Sequence, residues 1–238
     1  MSGVVDSLET AKVLSERYGH LSGEALLSLM IETVFPGRIA MVSSFGAESA
    51  VLLHMIATID PGVPVLFIDT GKLFGETLRY RDELTARLGL REVRTIRPTA
   101  DRIAALDAAG ALWQRNVDAC CALRKTEPLA EALVEFDAWI SGRKRYHGDL
   151  RSALPAIEVA DGRIKINPLA SWSRAELDVE FQARGLPRHP LEADGFLSIG
   201  CMPCTARVSP GATLRSGRWA GLTKTECGIH LALRRSVG

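Results

Sequence analysis

Residues 39–58 read IAMVSSFGAESAVLLHMIAT. Ile39-Ala40-Met41-Val42 is a short apolar run without polar alternation, the way a strand buried on both faces reads. Ser43-Ser44-Phe45-Gly46-Ala47-Glu48-Ser49 follows at once, and apolar residues then fill a helix from Ala50 to Thr58. A strand that runs through small residues into a helix gathers hydroxyls and backbone N–H groups at the helix N-terminus. Phosphate and sulfate oxygens are well held there. A serine-rich turn can also be no more than a helix cap.

The same unit recurs along the chain. Val65 to Ile68 predicts a strand, Asp69-Thr70-Gly71 its loop, and residues 75–88 a helix; residues 92–96 and 99–109 repeat the pair. Further strands are predicted at Ala138 to Ser141 and Arg163 to Ile166, and a helix capped by Ser173 runs to about Arg184. Before the first unit, residues 8–18 and 24–35 have helical spacing, the second run opening behind Ser22 and ending at Pro36-Gly37. Successive βα units imply an α/β fold: a parallel sheet with helices on both faces and ligands at the carboxyl ends of the strands.

A chain of 238 residues with 47% hydrophobic and 24% charged residues suits one large α/β domain. Its net charge of +1 gives no global field for nucleic acid or membrane, so an anionic ligand must be held by local clusters of bases. The opening MSGVVDSLET has neither a basic nor an apolar targeting region, and the longest apolar stretch, Ala50 to Ile59, is interrupted by His54 and too short to span a bilayer. A cytoplasmic protein with reduced thiols is expected.

Five cysteines stand in a telling order. Cys201 and Cys204 form a CxxC turn, Cys120 and Cys121 are adjacent, and Cys227 stands apart near the C-terminus. Two pairs complete the four-thiolate shell that zinc or an iron–sulfur cluster accepts. Adjacent cysteines bite awkwardly on one small tetrahedral ion, whereas a cubane offers them separate irons, so a [4Fe–4S] cluster is favoured, with structural zinc, a disulfide or buried thiols as the other readings.

The loops at the strand ends carry the other candidates. Asp69 can hydrogen-bond a ribose or simply cap its loop, and Gly142-Arg143-Lys144-Arg145 sets three bases at the rim beyond the fourth strand. Between Cys204 and Cys227 lie Pro210, Gly211, Gly217 and Gly221, a composition suited to a hinged, mobile tail that closes over a ligand. Cys227 is the thiol outside both pairs, with Lys224 and His230 flanking it and Glu226 opposing them electrostatically.

Together, SSFGAES at Ser43, DTG at Asp69, CC at Cys120 with Arg124-Lys125, CxxC at Cys201 and ECGIH at Glu226 resemble the assimilatory adenylyl-sulfate reductases of the phosphoadenylyl-sulfate reductase family, from about Ile39 to His230. The resemblance implies a three-layer adenine-nucleotide hydrolase-like fold, with residues 1–205 binding nucleotide and cluster and residues 206–238 forming a catalytic tail. It implies a [4Fe–4S] cluster on Cys120, Cys121, Cys201 and Cys204, with Cys227 and His230 as the catalytic residues. The implied substrate site is Ser43, Ser44, Phe45, Gly46, Ala47, Glu48, Ile68, Asp69, Thr70, Gly71, Lys125, Arg145, Arg215 and Arg218. It further implies adenylyl sulfate as substrate, with the 3′-phosphorylated nucleotide as the alternative, thioredoxin as partner, and a homo-oligomer. Where the family has two arginines and then a glutamine, this chain has Lys144, Arg145 and His147, and only Arg145 is carried over as a ligand contact.

The chemistry of such a substrate agrees with those residues. A thiolate can attack the sulfur of the phosphate–sulfate anhydride, AMP leaves, and an S-sulfonated cysteine forms. Two electrons then come from a dithiol, which releases sulfite. Two rivals fit less well. An ATP-dependent tRNA thiolase or pyrophosphatase usually has SGGxDS, which Phe45 and Glu48 break. A metal-stapled nucleic-acid module wants a basic stripe with aromatics, against 6% aromatic residues here.

Overall fold

The computed structural model describes residues 2–148, 151–209, 211–221 and 224–230, and their side chains from residue 7 to residue 229. Six strands form one sheet: β1 (Ile39–Ser43), β2 (Val65–Ile68), β3 (Val93–Ile96), β4 (Ala138–Ser141), β5 (Ile157–Ala160) and β6 (Arg163–Ile166), in spatial order β3-β2-β1-β4-β6-β5. β1 lies between two parallel neighbours, Met41 opposite Val65 and Ile39 opposite Ala138. The chain leaves β1 toward β2 and β3 on one side, then returns to β4 on the other. The crevice at that switch point opens beyond Ser43 and Ser141, the last residues of β1 and β4.

Both faces of the sheet are covered, which is why its strands read as unbroken apolar runs. Ile39 and Met41 of β1 pack with α1 (Ser2–Tyr18), α2 (Gly23–Ser28), α3 (Ser49–Ile59) and α4 (Gly75–Leu88), while Ala40 and Val42 face the other layer. In chain order there follow α5 (Ala100–Asp107), α6 (Leu112–Arg115), α7 (Val117–Cys121), α8 (Glu127–Ala132), α9 (Arg174–Ala183) and α10 (Pro190–Ala193). Leu129 of α8, with Leu133 and Phe136, closes the second face, and Leu177 and Phe181 of α9 join the first. Helices, sheet and helix make three layers. Among the described residues, no helix is long and apolar enough to cross a membrane.

The structure changes three details of the expected pattern. The sheet is not wholly parallel: β5 runs antiparallel to β6, Ala160 opposite Arg163. Asp161 and Gly162 between them both have positive φ, 52° and 76°, the two-residue hairpin turn that an Asp-Gly pair favours. The helix expected over 24–35 ends as a π-helical stretch, Leu29–Val34, with Phe35 N–H donating to Met30 O at 2.9 Å. Ser22 occupies the N-cap position of α2 without a side-chain bond. Finally, Cys120 and Cys121 end α7, which runs through a π-helical stretch, Ala122–Thr126, into α8. Ser173 does cap its helix, in a capping box with Glu176.

Candidate active site

The crevice beyond β1 and β4 is a cavity walled by the loop before α3, the segment after β4, Lys125, and the tail residues Arg215, Arg218, Trp219 and Cys227. Ser43, Ser44, Gly46, Ala47 and Glu48 line it, but Phe45 turns away. Phe45 has φ 46° and is wholly buried against Phe67, ring centroids 5.4 Å apart. Its N–H donates to Ser43 Oγ at 3.1 Å, so its side chain anchors the loop and leaves its neighbours to face the ligand.

Glu48 gathers one wall. Lys144 Nζ donates to it at 2.7 Å, His147 Nε2 at 3.1 Å, and Tyr146 through its hydroxyl. Burial opposes the carboxylate charge, but Lys144 and His147 outweigh it and hold Glu48 well below the usual range. His147 Nδ1 accepts from Arg151 Nη1 at 3.0 Å, so its partners select the neutral Nε2–H tautomer, and burial keeps its pKa low.

Of the bases after β4, the cavity is lined by others than the one expected to contact the ligand. Arg145 is exposed, does not line the cavity, and donates through Nε to Leu154 O at 2.8 Å. Lys144 and His147 line it, together with Arg143. Lys144 takes an extended φ of −139° before a 3₁₀ turn, and this throws neighbouring side chains to opposite sides. Asp69 is likewise spent elsewhere: Arg97 donates to it through Nε and Nη2 at 2.9 and 2.7 Å, and Gly71 N–H at 2.9 Å. Ile68 and Thr70 line the cavity, whereas Asp69 and Gly71 do not.

Cys227 is buried where this cavity meets the cysteine pairs. A hydrogen bond from Cys121 outweighs burial and, with Lys125, the Ile229 amide and Arg218, holds its thiol well below the ordinary range. Burial opposes the charge on Lys125, yet the sulfurs of Cys227 and Cys201 keep its pKa above the usual value. Arg143 is buried and Arg218 half-buried, and each has a buried Nε with no hydrogen-bond partner. A buried donor of this kind is costly unless something accepts from it. Both point to anionic oxygens in the cavity. The side chain of His230 lies outside the described residues.

Cys120, Cys121, Cys201 and Cys204 line a second, smaller cavity with Arg124 and Lys125. The Asn116 side chain caps α7 by accepting from Ala119 N–H at 2.9 Å. The CxxC turn is tied to the loop after β2 by Met202 N–H donating to Lys72 O at 2.8 Å, and Thr70 Oγ1 lies 3.2 Å from Cys201 Sγ. All five cysteines are free in the structure. Among the described residues, no group of three or more His, Cys, Asp and Glu side chains stands ready around a single ion. Four sulfurs around one cavity, with two cations beside them, suit an anionic thiolate-ligated cluster.

Arg143 and Lys144 line the cavity as members of the basic run that the sequence sets at the rim; Lys144 and His147 were not carried over as ligand contacts, and Arg151 was missed. Arg151 had no local signal, because only its pairing with residues distant in the chain brings it here.

Residues 38–207 match the phosphoadenosine phosphosulfate reductase domain. The adenosine 5′-phosphosulfate reductase of Mesorhizobium japonicum is 52% identical over 219 residues, 92% of this chain and 86% of that protein. The protein of the same name from Chelativorans sp. is 49% identical over 228 residues, 95% of this chain and 93% of the relative. A crystal structure of phosphoadenylyl-sulfate reductase from Candida auris, a phosphate complex, superposes with a TM-score of 0.71 at 29% identity, covering 84% of this chain and 98% of that one. With its doubly covered sheet and the matched domain spanning β1 to the CxxC turn, this chain belongs to the phosphoadenosine phosphosulfate reductase family.

Proposed function

We propose that this chain reduces adenylyl sulfate to sulfite and AMP, with Cys227 as nucleophile and thioredoxin as electron donor. One observation carries the reading: a single cavity brings the buried Cys227 thiol together with Lys125 and with arginine Nε groups that lack partners. Relatives near half identity are named adenosine 5′-phosphosulfate reductase, which supports the unphosphorylated nucleotide as substrate.

In this reading the Cys227 thiolate attacks the sulfate sulfur. A sulfur–sulfur bond forms, the sulfur–oxygen bond to the phosphate breaks, and AMP leaves with the electron pair. Charge grows on the phosphate oxygens as that bond lengthens, where Lys125, Arg143 and Arg218 stand preorganised. A thioredoxin thiolate then attacks Cys227 Sγ, sulfite leaves with its electron pair, and the second thioredoxin thiol resolves the mixed disulfide. Cys120, Cys121, Cys201 and Cys204 would hold a [4Fe–4S] cluster, which when bound supplies structure and local charge. Residues 1–205 serve as the binding domain and 206–238 as the catalytic tail, which must expose Cys227 to thioredoxin after AMP leaves.

Adenylyl sulfate supplied without thioredoxin tests this directly. One AMP per chain should be released in a single turnover, with a sulfonate on the peptide holding Cys227. Finding the sulfonate on another cysteine, or normal turnover in Cys227→Ser, overturns the assignment.

A further inference from the structure

We propose that Glu226 is the positioning residue that seats the tail, docking its carboxylate between Arg151 and Arg215 so that the adjacent Cys227 faces the anion cavity. The inference rests on the reading of Cys227 as nucleophile and deepens it.

Glu226 and Arg151 are 4% and 6% exposed, so this is a buried pair linking residues 75 positions apart. Arg151 grips both carboxylate oxygens, through Nε and through Nη2 at 3.0 Å, the two-pronged geometry that gives direction as well as strength. Arg151 is itself steadied by His147 Nδ1. Arg215 completes the cradle: its Nη2 lies 3.8 Å from Glu226 Oε1 and donates to Thr225 O at 2.9 Å. The same carboxylate accepts from the Cys227 N–H at 3.3 Å, so the residue that binds the body also holds the backbone of the nucleophile. Among the described tail residues Lys224 also pairs across the fold, with Asp118, whose side chain is 77% exposed, so solvent screens that pair.

The cavity's cations therefore divide. Arg151 and Arg215 spend hydrogen bonds on the tail, whereas Arg143 and Arg218 keep an unpartnered Nε each. Docking through Glu226 thus presents Cys227 without consuming the donors left for the ligand.

Glu226→Gln keeps shape and removes charge. In the anaerobically purified full chain, single-turnover sulfonation of Cys227 should slow by about 10²-fold, the cost of letting a reacting group shift by about 1 Å. KM for adenylyl sulfate and affinity for AMP should hold, so the loss falls on kcat. Independently of turnover, iodoacetamide should alkylate Cys227 faster in the variant, and Glu226→Asp should recover part of both effects. If Glu226→Gln does not fold, Arg151→Lys keeps the charge, loses the fork, and is read the same way. Unchanged alkylation together with unchanged sulfonation overturns the proposal, as does a loss confined to AMP affinity. Faster alkylation with the sulfonate on a different cysteine would instead uphold docking while overturning the nucleophile assignment.

Discussion

Replacing Gly200 with alanine should disarm one anion donor without harming the fold. A Cβ on Gly200 would stand 2.3 Å from Arg218 Nη2, 2.5 Å from its Cζ and 2.9 Å from Nη1, against an ordinary contact of 3.4 Å or more. The obstacle is the end of a flexible side chain, so the guanidinium retreats by roughly 1 Å, a misplacement that can cost about 10²-fold in rate. That matches the scale for a preorganised donor, where removal costs about 3–4 kcal/mol at most. The fold should tolerate the change. Gly200 is not among the positive-φ residues, and Arg218 makes one long hydrogen bond, Nη1 to Ile199 O at 3.4 Å, while its Nε has no partner. Single-turnover AMP release measures the loss, and the thermal midpoint should shift little. The critical comparison is Arg218→Ala: in that background Gly200→Ala should cost nothing further, because the two changes act through one group. Wild-type AMP release in Gly200→Ala, or losses that simply add, would refute the reasoning.

Three other outcomes are expected. Anaerobic protein should be brown with about four irons and four sulfides per chain, and Cys201→Ser should lose them; a colourless, fully active protein with one zinc would exclude the cluster. In direct competition, adenylyl sulfate should show a higher kcat/KM than its 3′-phosphorylated analogue, and the opposite order would reassign the substrate. His189 is buried, with Nε2 3.1 Å from Thr77 Oγ1 and Nδ1 accepting from Leu191 N–H, and burial pushes its pKa down to about 4. Its folded pKa lies below the unfolded value of about 6.5, so the stability of the neutral ring is full above that pH and is lost as pH falls toward about 4. Urea midpoints across that window should fall less steeply for His189→Gln than for the native chain, and parallel curves would rule this out.

Some of this protein could be read from local pattern alone. A strand buried on both faces must be apolar throughout, so β1, β2 and β4 were legible in sequence, and the helices behind β1 and β2 followed from their spacing. The cysteine order likewise separates two pairs from Cys227 without any coordinates. What tertiary structure alone decided were choices among side chains of similar chemistry. Arg145 and Lys144 are adjacent bases, yet the extended backbone at Lys144 sends one to Glu48 and the other to Leu154 O. Asp69 sits at a strand end as a ligand contact would, but Arg97 from the neighbouring strand's loop takes its carboxylate. Arg151 carries no local signal and the ECGIH motif marks Glu226 without naming its partner, since a buried ion pair is defined by who meets whom across the fold. Period and spacing encode which face a residue occupies, whereas partners distant in the chain are chosen only when the sheet, the β4 loop and the tail pack together.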